Sequence, residues 1–97
     1  MTFYFHPEAE EEFNNAIDYY EEVQNKLGFD FAFEVYKTIE RIIALPKAWP
    51  ILEDDIRRCL INRFPFGIIY SIEPEGIFIL SIMHLKREPD YWKSRMK

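Results

Sequence analysis

The apolar positions of this 97-residue chain change period part-way along it. Up to residue 45 they recur mostly in steps of three and four. Beyond residue 55 they run almost without a break, rich in isoleucine and phenylalanine, at the density of strands. A short apolar stretch, Thr2-Phe3-Tyr4-Phe5, predicts a first strand. Pro7 then stands where a first helical turn tolerates proline, and Glu8, Glu10, Glu11 and Glu12 crowd the same turn, where carboxylates favour the positive end of the helix dipole. Ala9, Phe13, Ala16, Ile17, Tyr20, Val23 and Leu27 make one stripe for burial, and the helix is expected to end near Gly28, a residue suited to a left-handed C′ position.

A second helix follows at once. Phe29, Ala32, Val35, Tyr36, Ile39, Ile42 and Ile43 step by three and four, and Pro46 disfavours helix at Leu45. So short a break predicts an antiparallel αα-hairpin. Lys47 to Asp55 reads as a loop with an exposed Trp49. Three strands then follow at roughly 56–63, 66–73 and 77–85, the last two joined by a tight turn at Glu73-Pro74-Glu75-Gly76. Residues 77–83 are apolar at nearly every position, so both faces of that strand need cover. The helical hairpin is expected to supply one cover, the tail from Glu88 part of the other, and a partner the rest. The pattern is β-α-α-β-β-β with a short C-terminal helix: a small α+β domain over residues 1–97, its helical hairpin packed on a mostly antiparallel, twisted sheet.

Composition narrows the classes. Hydrophobic residues form 48% and aromatics 18% of the chain, enough for one core and far from a disordered composition. Cys59, alone, forms no internal disulfide and reads as a small buried hydrophobe. No signal-like start and no apolar run of ~20 residues points to a membrane, so the expected location is cytoplasmic. The net charge of −5 hides an asymmetry. Residues 1–55 carry 4 Lys/Arg against 13 Asp/Glu, a net of −9; residues 56–97 carry 8 against 4, a net of +4. The strand-rich half is thus the positive half, a matter of encounter and binding.

Candidate chemistry lies in that half. Arg57, Arg58 and Arg63 stand in or beside strands, with 57 and 63 expected on one face and 58 on the other. Each can bind phosphate, stack on a base or pair with a carboxylate. His84, Lys86, Arg87, Tyr91 and Trp92 cluster near the end. A histidine base, a cation and a tyrosine are the group types that RNA cleavage through a cyclic phosphate requires. They are also common packing and hydrogen-bonding residues. Two histidines and a solvated acidic helix face predict no metal site, and three scattered glycines make no phosphate loop. No cofactor is implied.

Two segments carry a resemblance: Arg57-Arg58-x-Leu60-Ile61-x-Arg63-Phe64-Pro65-Phe66-x-Ile68-x-Tyr70, then His84-x-x-Arg87-x-Pro89-x-Tyr91-Trp92. Together with Ala9-x-x-Glu12-Phe13, Leu27-Gly28 and Leu45-Pro46, they make the chain resemble the RelE/ParE superfamily of bacterial toxins, closer to its ParE-like branch. The resemblance implies a twisted sheet cradling a helical hairpin. It also implies the toxic half of a type II toxin–antitoxin module, of the kind linked to plasmid stabilisation and silenced by an antitoxin segment. For the ParE-like branch it implies inhibition of DNA gyrase without catalytic residues. For the RelE-like branch it implies ribosome-dependent cleavage of messenger RNA, with Arg63, His84, Arg87 and Tyr91 as the catalytic candidates. Glu53-Asp54-Asp55 and the net negative charge oppose docking on ribosomal RNA, where affinity comes from phosphate neutralisation. The expected antitoxin segment is acidic and amphipathic, meeting Arg57, Arg58, Arg63, Lys86, Arg87, Tyr91 and Trp92. A non-toxic binding module of the same fold is the remaining alternative.

Overall fold

The first helix begins where the sequence places it. A computed structural model of the chain describes residues 1–96. In it β1 (Phe3–Phe5) runs into α1 (Pro7–Val23), and His6 caps the helix by accepting from the Glu8 amide at Nδ1 (3.0 Å). The helix ends at Val23, five residues before Gly28, and Lys26 rather than Gly28 takes the left-handed conformation (φ 73°). Gly28 belongs to the start of α2 (Leu27–Ala44) and serves close approach instead: a Cβ there would meet the Ile17 carbonyl oxygen at 2.4 Å. Glu21 bridges the two helices, accepting from the Lys26 and Gly28 amides (2.9 and 3.1 Å). It thereby satisfies donors that a helix start leaves open.

The strands are β2 (Ile51–Glu53), β3 (Ile56–Leu60), β4 (Phe66–Glu73) and β5 (Gly76–His84), followed by a 3-10 helix at Tyr91–Arg95. The five-stranded sheet has the order β1-β5-β4-β3-β2, with β1 parallel to β5 and every other pair antiparallel. Two boundaries differ from the expectation. The 47–55 segment contains β2, a short edge strand that pairs Ile51 with Arg57 and Glu53 with Ile56 of β3 across an irregularity in register. The strand begun at Ile56 ends at Leu60, not at residue 63, because Arg63 turns to φ 71° and the Ile61 amide bonds back to the Phe66 carbonyl. Arg57 and Arg63 therefore share no strand face. Pro74 and Glu75 form the expected tight turn between β4 and β5, where Gly76 takes φ 140° with its backbone against the Thr2 carbonyl.

β5 is buried along its whole length except His84, as its two-sided apolar run demands. On one face the hairpin delivers Phe13, Phe31, Val35, Ile39 and Ile42 onto Ile68, Tyr70, Ile79 and Ile82. On the other, Trp92 of the 3-10 helix packs with Ile56, Ile69, Phe78, Leu80 and Met83. Cys59 is buried, and Trp49 is half-buried against the core rather than exposed. The helical stripes differ in part from the predicted ones. Val23, Phe29 and Tyr36 stay exposed, and Phe31 and Thr38 take core positions instead. Periodicity alone cannot tell which of two apolar lines on α2 meets the sheet.

Candidate functional site

A groove of about 480 Å³ opens between α1, β5 and the tail. Ala16, Phe66 and Ile82 contribute its apolar surface, Tyr19, Tyr20, His84 and Tyr91 its rings, and Glu12, Asn15 and Arg87 its polar groups. At one side of it lies Glu12, which accepts five hydrogen bonds from two parts of the chain, β5 and the C-terminal 3-10 helix. Its Oε1 accepts from the Ile82 amide (3.1 Å), the Ser81 hydroxyl (3.1 Å) and Arg95 Nη1 (2.9 Å). Its Oε2 accepts from the Tyr91 hydroxyl (2.7 Å) and Arg95 Nη2 (3.0 Å). The Arg95 fork is bidentate, and Arg95 also donates to the Leu80 carbonyl. The Ser81 and Tyr91 hydroxyls touch as well, so two protons are shared among three contacts.

Tyr91 is held on every side. The Arg87 guanidinium lies 3.9 Å from its ring centre and that of Arg95 5.0 Å away. Burial, reinforced by the bond to Glu12 and its charge, pushes the phenol up to about 12, against the lowering effect of Ser81 and Arg95. Such a phenol is a poor base near neutral pH, and its proton is already engaged. Arg87 reaches Glu12 at 4.0 Å and remains half open to solvent. His84 ends β5 with its ring edge-on to Phe66, and its Nδ1 accepts from the Lys86 amide (3.1 Å). His84, Arg87 and Tyr91 thus meet in one groove, alongside a carboxylate.

A family model for the ParE toxin of the parDE type II toxin–antitoxin system matches residues 3–89. The chain belongs to the ParE toxin family. A solved structure described as a chromosomal ParDE TA system from P. aeruginosa is similar in fold. Its TM-score is 0.62 at 20% identity, and the match covers 88% of this chain and 96% of that one. No curated protein matches in sequence.

The other residues singled out from the sequence of this ParE-family chain lie outside the groove. Arg57 donates to the Lys47 and Trp49 carbonyls (3.1 and 2.8 Å) and so fastens the segment before β2. Beside it the Tyr70 hydroxyl donates to the Pro46 carbonyl. Arg58 lies on the opposite face, its stem filling the space that Gly67 leaves, next to Leu52, Trp92 and Lys93. Arg63 faces Asp30 and Glu34 of α2 at 3.7 and 3.9 Å and lies over the Phe64 ring. Lys86 is exposed at the turn after β5, and Trp92 is buried in the second core cluster. Among the described residues no group of His, Cys, Asp and Glu is placed to hold a metal ion, and no helix is long and apolar enough to cross a membrane.

Two residues of this site, Glu12 in the groove and Arg95 beside it, were not singled out as site residues in the sequence. Glu12 stands three after Ala9 and four before Ala16, so it borders the buried stripe, and that spacing is the one local signal of its role. Its partners lie 69 to 83 residues away along the chain.

Proposed function

We propose that this ParE-family chain is the toxin of a two-component module, acting in the cytoplasm on DNA gyrase by binding and silenced by a cognate antitoxin. The observation that carries the choice of binding over catalysis is the state of Tyr91. Its proton is donated to Glu12, its pKa is raised to about 12, and the Glu12 carboxylate beside it disfavours a bound phosphate. The groove instead offers what recognition uses: an apolar interior, five rings, and Arg87 at a rim open to an acidic partner. An acidic amphipathic antitoxin segment suits that rim, and its folding on contact would order both partners.

The second reading is a ribosome-dependent endoribonuclease, favoured by the meeting of His84, Arg87 and Tyr91 in one groove. Expression of the chain alone, followed by primer extension on a translated message, separates the two. Growth arrest with DNA damage and intact transcripts supports the gyrase reading. In-frame cuts at the ribosomal A site would reverse it, and normal growth at verified soluble expression would remove the toxin reading altogether.

A further inference from the structure

α2 is apolar along two lines, and only one is used. Phe29, Phe33 and Tyr36, spaced four and three apart, form a ridge on the side away from the sheet. Their exposures, 72%, 53% and 46%, are large for aromatic residues in one patch. The ridge is ordered by its neighbours, since Tyr36 packs edge-on to Phe13 and Lys37 lies over the Phe33 ring. Beside it runs α1, which contains no lysine or arginine. On its outer side Glu11, Asp18 and Glu22, spaced seven and four, fall along one line. None of the three makes an ion pair among the described residues. The helix packed beside the apolar ridge thus carries an outer row of carboxylates with no ion pair among the described residues.

We propose that this outer face of the helical hairpin is a docking surface for a basic amphipathic helix of a partner protein. Apolar residues of that helix lie over Phe29, Phe33 and Tyr36, while lysines or arginines on its flank meet Glu11, Asp18 and Glu22. Charge and area both argue against a second copy of this chain as the occupant. Pairing two hairpins would bring together two acidic α1 helices, and like charges across an interface repel. With ~150–250 Å² per aromatic side chain, the exposed parts of the three rings come to roughly 250–400 Å² per protomer. Two such ridges fall short of the ~1,200 Å² at which stable interfaces begin. A helix that also covers the α1 flank adds the missing contact. This surface is separate from the groove at Arg87 and calls for the opposite charge, so it stands whether or not the target is gyrase.

The test uses the isotope-labelled full chain and two synthetic helical peptides of about 18 residues, each with leucines along one face. One carries lysines on the flank, the other glutamates at the same positions. The lysine peptide is expected to bind at a micromolar Kd, shifting amide signals at Phe29, Phe33, Tyr36, Asp18 and Glu22. The Phe29→Ser/Phe33→Ser double variant, which removes only exposed rings, should weaken binding at least about tenfold while its melting temperature stays that of the wild type. The proposal is overturned by any of four results. These are equal binding of the glutamate peptide, shifts centred elsewhere, unchanged binding to the double variant, or a wild-type dimer that the double variant dissolves. Absence of any binding by the lysine peptide overturns it equally.

Discussion

Replacing Arg95 by alanine removes the fork that ties the C-terminal 3-10 helix to α1. The side chain is 7% exposed and Glu12 16%, so the pair is largely out of water, at 2.9 and 3.0 Å. Truncating one partner of a buried ion pair costs ~3–5 kcal/mol, chiefly because the other charge is left behind. Glu12 keeps the Ile82 amide and the two hydroxyls as partners, which lowers the expected loss to about 2–3 kcal/mol. For a domain of this size, at ~4–8 °C per kcal/mol, the melting temperature should fall by roughly 10–20 °C. A thermal melt followed by circular dichroism reads this directly. The Glu12→Gln single variant and the double variant complete a cycle, in which the double loss should be smaller than the two single losses together by about 1–3 kcal/mol. An Arg95→Ala protein melting within about 2 °C of wild type would refute the reasoning. The tail would then be held by Trp92 burial and the Tyr91 hydroxyl, without help from the fork.

Four further outcomes are expected. Burial, the largest cause, raises Tyr91 and Tyr70 from 10.0 to about 12, so the fold favours their neutral forms. The resulting stability is whole below pH 10 and is lost as pH rises through about 12. Denaturant midpoints measured across that window should fall, less steeply in Tyr91→Phe, and a flat profile would contradict the burial argument. Trp92→Ala empties the centre of the second cluster and should cost ~3–5 kcal/mol in a denaturant melt. Gly76→Ala places a Cβ 2.3 Å from the Thr2 carbonyl at φ 140°. It should destabilise the protein by more than ~1 kcal/mol and loosen β1, seen as faster amide exchange at Phe5 and His6. Arg87→Ala, at a half-exposed position, should reduce toxicity without moving the melting temperature; if both fall together, Arg87 is a packing residue.

Local patterns carried most of the fold. The two-sided apolar run of β5 requires cover on both faces, and hairpin and tail supply it. The turn at Pro74-Glu75 is written in four consecutive residues. His84, Arg87 and Tyr91 are readable as a group because they fall within a span of eight residues. The errors came from tertiary competition. Ile51–Glu53 is too short to show a period, and it became a strand because β3 offered an open edge. Phe29 and Tyr36 fit a helical stripe as well as the core residues do, yet the sheet took the line through Phe31, Val35 and Ile39. Arg63 extends the strand pattern by residue type, but the chain turns there to reach Asp30 and Glu34. Glu12 looked like one more carboxylate on an acidic helix, and only the fold brings Ser81, Tyr91 and Arg95 to it.

Recognition of gyrase, with no catalytic use of the groove, is what we propose for this ParE-family chain. Purified toxin mixed with purified gyrase, relaxed plasmid and ATP tests it most directly, with wild type and Tyr91→Phe side by side. The expectation from recognition alone is that both proteins block supercoiling in proportion to the amount bound. It is contradicted if supercoiling proceeds unhindered by wild-type protein while translating ribosomes supplied with the same protein yield messages cut in the A site, and Tyr91→Phe abolishes the cuts.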